Sequence, residues 1–569
     1  MSTRQVLIVL LTCLALAVHA TLDMGNPRVR TPIGKLKGYY KKSQNSSRQY
    51  EAYEGIPYAL PPVGKRRFQP PRAIPAWIGE LSATEFGSKC LQYNPMKKDG
   101  YSTTGSDDCL YLNIYVPMKE KTAPRTLMPV IFWIHGGCFQ FGSGSDITMG
   151  HLMDHDIIFV TFNYRLGPLG FLSTEDEVVP GNMGLKDQSM ALHWVSDNIE
   201  WFGGDPQKVT LIGTSAGAAS VHYHYLSPMS AGLFQGGISM SGTAFDSWTQ
   251  TEKPLEKAKK LGELMGCPTV SSTEMIRCLR YRPANAMLRV MSEFMPFEMN
   301  PFTPFGPVVE KSGDIRFIDR TPVEIVTSGD VQDVPWITST VKDEGLFPIS
   351  LFINKVDTLN DLNNQWETIC PILFDFKHTI PSEKHVEICR LIKEHYFGTG
   401  TINIENVKPL VEMAGDRFFI YDSEKAARMQ AEVNQNPVWY YRYSYRGANS
   451  LTRILSNSDK NYGVCHGDDA FTIILTPWIT ALTTQDDINM QKHLIDIWIS
   501  FVTNGTPAVA GVEWLDVDPS KKEFQYLHLA HPDKIYMDSN ANLGNKEFWN
   551  SIDLDENKLH KTTCIRTEL

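Results

Sequence analysis

Apolar residues recur along the chain in two rhythms. Val130 to Ile134 (VIFWI), Ile157 to Phe162 (IIFVTF) and Lys208 to Ile212 (KVTLI) are short, mostly apolar runs. That is the pattern of strands covered on both faces. The first runs into His135-Gly136-Gly137, a tight turn. Leu185 to Phe202 carries Leu185, Ala191, Trp194, Val195 and Ile199 at helical spacing, and Ser215 to Leu226 reads as a second helix. Further strands are predicted at Val334–Thr338 and Val438–Tyr445, and an amphipathic helix over 483–503. Strands alternating with helices predict an α/β fold whose central sheet is mostly parallel and covered by helices. The stretches near 250–330 and 345–435 are helix-rich without that rhythm. They read as insertions at the strand ends, where lids and pockets are built.

Composition narrows the function classes. The chain has 569 residues, 42% hydrophobic and 21% charged, which excludes disorder, collagen and coiled coil. A net charge of -10 with no basic stripe argues against nucleic acid and anionic membrane surfaces as partners. The N-terminus adds more. Residues 1–20 place Arg4 before an apolar core, Val6 to Val18, and Val18-His19-Ala20 before a cut. This predicts a signal peptide cleaved after Ala20, then one domain over 21–569 with no linker and no membrane span. Export permits disulfides. Cys90 and Cys109 enclose 18 residues and Cys267 and Cys278 enclose 10, which suits local bridges, although spacing does not fix the pairing. Asn45-Ser-Ser and Asn504-Gly-Thr are glycosylation sequons. The chain ends Arg566-Thr567-Glu568-Leu569, two of four residues of a lumenal retention signal. Secretion is the first reading of the address and the endoplasmic reticulum lumen the second.

Two motifs carry chemistry. Gly213-Thr214-Ser215-Ala216-Gly217 follows a predicted strand and opens a predicted helix. This is the context of a nucleophile elbow, whose flanking glycines allow a sharp turn under a strained Ser. His135-Gly136-Gly137-Cys138-Phe139 follows another strand. Its amides at Gly137 and Cys138, with that of Ala216, would form an oxyanion hole for acyl transfer. On spacing alone, an ordinary Gly-rich turn with an idle Ser stays open.

Longer motifs lie around these two: Glu54-Gly-Ile-Pro-Tyr58, Asp108-Cys-Leu-Tyr-Leu-Asn113, Asn163-Tyr-Arg-Leu-Gly167 and Phe202-Gly-Gly-Asp-Pro206. With them the chain resembles the type-B carboxylesterase/cholinesterase group of α/β-hydrolases, in the secreted insect branch that includes hymenopteran venom carboxylesterases. The resemblance covers nearly all of 21–569. It implies the α/β-hydrolase fold, with helical insertions forming the pocket and gorge. It implies hydrolysis of small-molecule carboxylic esters through an acyl-enzyme, without metal or cofactor, and covalent inhibition by organophosphates. It implies a triad in the order Ser…Glu…His. Glu344, in Val341-Lys-Asp-Glu-Gly345, matches the acid. Its neighbour Asp343 would point the other way on extended backbone. Eight histidines follow Glu344, and His466 alone sits in a G-x-x-H-x-x-D pattern, Gly463 to Asp469; His493 falls within the amphipathic helix. The resemblance also implies the bridges Cys90–Cys109 and Cys267–Cys278, and places Trp248 on the acyl pocket.

Three departures from the family pattern bear on activity. Thr214 stands where Glu is commonest. Cys138 replaces a third Gly; the hole would use only its backbone N–H, and its thiol reads as a small filler. The 91–108 loop lacks the Trp that holds choline's cation in cholinesterases, which disfavours acetylcholine. Two alternatives follow from the same resemblance: a juvenile hormone esterase, which usually carries Gln at the position of Thr214, and a non-catalytic adhesion or binding homologue, which loses the Ser.

Overall fold

Buried strand runs need partners on both edges, and the chain supplies them as one large mixed sheet. The computed structural model describes residues 25–94, 103–119, 126–476, 479, 482–509, 511–552 and 554. The predicted signal segment 1–20 and the C-terminal Arg566–Leu569 lie outside these residues. Among the described residues the main sheet has 11 strands. In chain order they are β1 (Tyr39–Lys42), β2 (Gln49–Pro57), β3 (Tyr111–Pro117), β4 (Met128–Ile134), β5 (Ile158–Phe162) and β6 (Gly204–Thr214). They continue as β7 (Gly236–Met240), β8 (Trp336–Val341), β9 (Val438–Tyr443), β10 (Phe524–His531) and β11 (Lys534–Asn540). Their spatial order is β11-β10-β9-β8-β7-β6-β4-β5-β3-β2-β1. The block from β5 to β10 is parallel throughout. The two flanks, β3-β2-β1 and β11, are antiparallel.

The helices that matter for the site are α1 (Met183–Asn198), α2 (Ala216–Tyr225), α3 (Trp366–Leu373), α4 (His385–Phe397), α5 (Lys408–Gly415), α6 (Tyr421–Val433) and α7 (Gln485–Asn504). Strand alternation sorts the core into two layers. Val130, Phe132 and Ile134 of β4 face the layer holding α1 and α2; Ile131 and Trp133 face the layer holding α7. There Trp498 of α7 stacks near Trp133 at 5.9 Å. Capping fixes where α7 starts: Thr484 accepts from the Asp487 amide while Asp487 accepts from the Thr484 amide.

The strand predicted at Val334 begins at Trp336 and runs on to Val341, and the one predicted to end at Tyr445 stops at Tyr443. Beyond them come the insertions. Between α5 and α6 the helix passes through one π-helical turn, Asp416–Ile420. All of its residues are buried, and Phe418 and Phe419, adjacent within the wider turn, both face the protein interior.

Candidate active site

The C-terminal ends of β6, β4 and β8 and the loop before residue 468 converge on one cavity of about 120 Å³. Ser215, Gly136, Gly137, Cys138, Thr214 and His466 line it, with Phe141, Ile147, Phe347, Leu451 and Phe471 as apolar walls.

Ser215 sits between β6 and α2 with φ 58° and ψ −125°. A side chain larger than Gly resists that conformation, so the turn holds strain. Its amide donates to the Met240 carbonyl of β7 at 2.9 Å, which anchors the turn to the neighbouring strand. The flanking glycines act differently from the sequence-based expectation. Neither has a positive φ; the left-handed backbone falls on Ser215 itself. Their role is space: a Cβ on Gly217 would lie 2.0 Å from the Ile134 carbonyl oxygen, and one on Gly213 would lie 2.4 Å from Gly217. Close approach of α2 to β4 is therefore what the motif secures.

After β4 the backbone enters three left-handed residues in succession: Gly137 (φ 111°), Cys138 (φ 56°) and Phe139 (φ 58°). At Gly137 a Cβ would stand 2.0 Å from the Phe141 carbonyl, so only Gly fits. Among the described residues, the amides of Gly137, Cys138 and Ala216 have no hydrogen-bond partner in the protein. Successive unsatisfied N–H groups in such a turn, beside the N-terminus of α2, form a concavity for negative charge. The Cys138 side chain is buried, and burial pushes its thiol well above the ordinary range. It is therefore held as the unreactive thiol.

His466 Nδ1 lies 2.7 Å from Glu344 Oε2, and Glu344 is fully buried. The second carboxylate oxygen, Oε1, accepts the Val341 amide at 2.8 Å, so the acid is held by its own strand end. Asp343 turns away, as expected, although the pair lies in the turn past the end of β8 rather than on extended strand. Its Oδ2 accepts the Val464 amide at 2.9 Å and its own amide donates to the Val464 carbonyl at 3.1 Å. Asp343 thus pins the loop that carries His466. His466 Nε2 is buried without a hydrogen-bond partner among the described residues. Phe419 packs on the imidazole at 4.4 Å and Phe347 stacks on it at 5.4 Å.

A family model described as the carboxylesterase family matches residues 25–549. The chain belongs to the carboxylesterase family. Venom carboxylesterase-6 of Apis mellifera is 51% identical over 540 residues, covering 95% of this chain and 96% of its own. A carboxylic ester hydrolase of Bombus ignitus is 48% identical over 536 residues, covering 94% and 95%. Among solved structures, juvenile hormone esterase from Manduca sexta with OTFP covalently attached superposes with TM-score 0.81 at 27% identity. That match covers 93% of this chain and 99% of the other. The fold is the α/β-hydrolase fold, and the protein is a carboxylic-ester hydrolase.

Around the carboxylesterase site, burial sets the electrostatics. Asp468 accepts from Ser450 Oγ at 2.7 Å and from the Leu451 and Cys465 amides at 3.1 and 2.8 Å. Burial nevertheless raises its carboxyl to about 7. Asp469 accepts the Tyr441 hydroxyl at 2.8 Å and is raised by burial to about 6. His135 stacks on Tyr164 at 4.3 Å, and burial lowers its imidazole to about 4, so it stays neutral. Among the described residues no group of three His, Cys, Asp or Glu side chains is arranged to hold a metal ion. Among them, too, no helix is long and apolar enough to cross a membrane.

Trp248 lies one layer behind the cavity. It is buried, its indole N–H donates to the Phe418 carbonyl at 2.9 Å, and its ring meets Phe302 at 5.5 Å and Phe419 at 5.8 Å. It reaches the site by two aromatic routes: through Phe419, which packs on His466, and through Phe302, which meets the cavity-lining Phe347 at 5.4 Å. The aromatic pair Phe347 and Phe419 was not found from sequence. Phe347 lies three residues past Glu344 and was in principle within reach; Phe419 is placed by a π-helical turn that no residue pattern announces. The disulfides Cys90–Cys109 and Cys267–Cys278 are formed. Asn45 and Asn504 are both exposed.

Proposed function

We propose that the enzyme cleaves small carboxylic esters through an acyl-enzyme on Ser215, with His466 as base and Glu344 as its orienting acid. The observation that carries this reading is the 2.7 Å Glu344–His466 hydrogen bond, beside a cavity that His466 shares with Ser215. Glu344 holds the proton on Nδ1, which leaves Nε2 to take the Ser215 proton as Oγ bonds to the ester carbonyl carbon. The amides of Gly137, Cys138 and Ala216 receive the oxyanion. His466 then returns the proton to the departing alcohol oxygen as the C–O bond breaks. Water, deprotonated by the same imidazole, releases the carboxylic acid and restores the Ser hydroxyl. The apolar walls suit uncharged esters. Organophosphates would phosphorylate the same oxygen.

Export with removal of residues 1–20, a single domain over 21–569, and glycans on Asn45 and Asn504 belong to the same proposal. The name of the Apis mellifera venom relative and the two disulfides support it.

Ser215→Ala tests the mechanism. The variant should fold, by circular dichroism and Tm, yet keep less than about a hundredth of the activity. A fluorophosphonate probe should label the Ser215 peptide alone. Residual activity above that level, or labelling elsewhere, removes Ser215 from its role.

A further inference from the structure

Two of the cysteines left outside the formed bridges lie on neighbouring, packed helices. Cys370 lies in α3 and Cys389 in α4, both fully buried. Trp366 and Cys370 are four residues apart and so share one face of α3. The Trp366 indole N–H donates to the Cys389 carbonyl at 2.7 Å, which brings Cys389 alongside that face. Burial raises the Cys370 thiol well above the ordinary range, and the nearby Cys389 raises it further. Their separation in sequence, 389 − 370 = 19, equals that of the formed bridge Cys90–Cys109, which is also 19. Among the described residues the other two free cysteines, Cys138 and Cys465, are also buried, and neither is hydrogen-bonded to another sulfur; Cys564 lies outside the described residues.

We propose that Cys370 and Cys389 are the site of a third disulfide, closing α3 onto α4. This rests on the export reading above, since the oxidant is an exchange disulfide of the export pathway. One cysteine thiolate attacks that disulfide, releasing one thiol and forming a mixed disulfide. The second cysteine thiolate then attacks the mixed sulfur on the substrate side. The Cys370–Cys389 bond forms and the oxidant leaves as a dithiol, so two thiols and one disulfide give one disulfide and two thiols. Exchange needs a thiolate with access to solvent. Full burial of both sulfurs therefore places the step during folding, before α3 and α4 close.

The bridge would brace the acyl side of the cavity. Phe374, at the end of α3, stacks on Phe418 at 5.8 Å, and its carbonyl accepts Arg417 Nε at 3.2 Å. The Phe418 carbonyl in turn holds Trp248. The helix pair thus supports the π-helical turn whose Phe419 packs on His466.

The test is peptide mapping of the full chain collected from the medium of insect cells. The protein is denatured in iodoacetamide without reductant and digested. The expected result is a linked pair of peptides carrying Cys370 and Cys389, with Cys138 and Cys465 alkylated. The bridges Cys90–Cys109 and Cys267–Cys278 are the internal control. If they are linked while Cys370 and Cys389 are both alkylated, the proposal is wrong and the export reading stands. If all are alkylated, the export reading falls and takes the proposal with it. As a second measurement, Cys370→Ser should convert Cys389 from linked to alkylated; Cys389 alkylated equally in the unmodified chain and the variant overturns the proposal.

Discussion

Asp343 and Glu344 are adjacent carboxylates with opposite surroundings, set by the turn that follows β8. Glu344 meets the imidazole; Asp343 meets the backbone of the loop that carries it. Glu344→Gln should therefore lower kcat by about 10³–10⁴, the scale of losing the orienting acid in such a triad. Asp343→Asn should keep kcat within about tenfold while lowering Tm, since it loosens a loop rather than the proton path. Steady-state kinetics and a melting curve on both variants check the pair, and equal losses of kcat would undo the assignment. The buried Cys138 thiol gives a second expectation at this scale. Iodoacetamide added to the native enzyme should leave ester hydrolysis unchanged, and loss of activity with label on Cys138 would contradict its role as filler. The Glu344–His466 pairing and the cavity that His466 shares with Ser215 were legible because each residue sits in a recognisable motif. The aromatic rings on His466 come from elements remote in sequence, and only packing brings them there.

Between residue and molecule, the π-helical turn at Asp416–Ile420 carries one of the two routes by which Trp248 reaches the site. Trp248 touches Phe419, and Phe419 touches His466. Trp248→Leu should let Phe419 settle back and raise activity on branched or long acyl esters relative to acetate. A shift in discrimination worth about 1–3 kcal/mol is the expected scale. An unchanged acyl preference with a lower Tm would leave Trp248 a packing residue only. The loop after His466 carries a different signature. Asp468 rises from 3.8 to about 7 on folding and Asp469 from 3.8 to about 6, both through burial. Both folded values lie above the unfolded ones, so the native state holds more protons between about pH 4 and 7. Stability then falls as pH rises through that window, and the contribution is fully present only below it. Asp468→Asn should flatten the slope by up to about 1.4 kcal/mol per pH unit, read from urea unfolding across the window. An unaltered slope would show that Asp468 does not titrate there. At this scale the parallel strands β4, β5, β6, β8 and β9 and the helices α1, α2 and α7 were legible, because burial on one or both faces writes a clear period; the parallel β7 and β10 were missed. The antiparallel flanks were not: β1 and β11 are largely half-exposed and polar, so their sequence carries no such period.

For the whole molecule, the proposed export predicts where the chain accumulates, and the last four residues supply the test. Expression in insect cells should send both the full chain and one lacking Arg566–Leu569 to the medium in equal yield. Retention of the full chain alone would make the tail a working receptor signal and move the enzyme to the endoplasmic reticulum lumen. The distribution of the site along the chain has a further consequence. Glu344 follows Ser215 by 344 − 215 = 129 positions, and His466 follows Glu344 by 122. No short stretch of nascent chain holds more than one of the three, and strands β7 to β9 must pair before they meet. Non-local pairing of this kind forms late. Turnover of a chromogenic ester is therefore a clock for the final stage of folding: during refolding it should lag the recovery of helical circular dichroism, and a half-made chain is chemically silent.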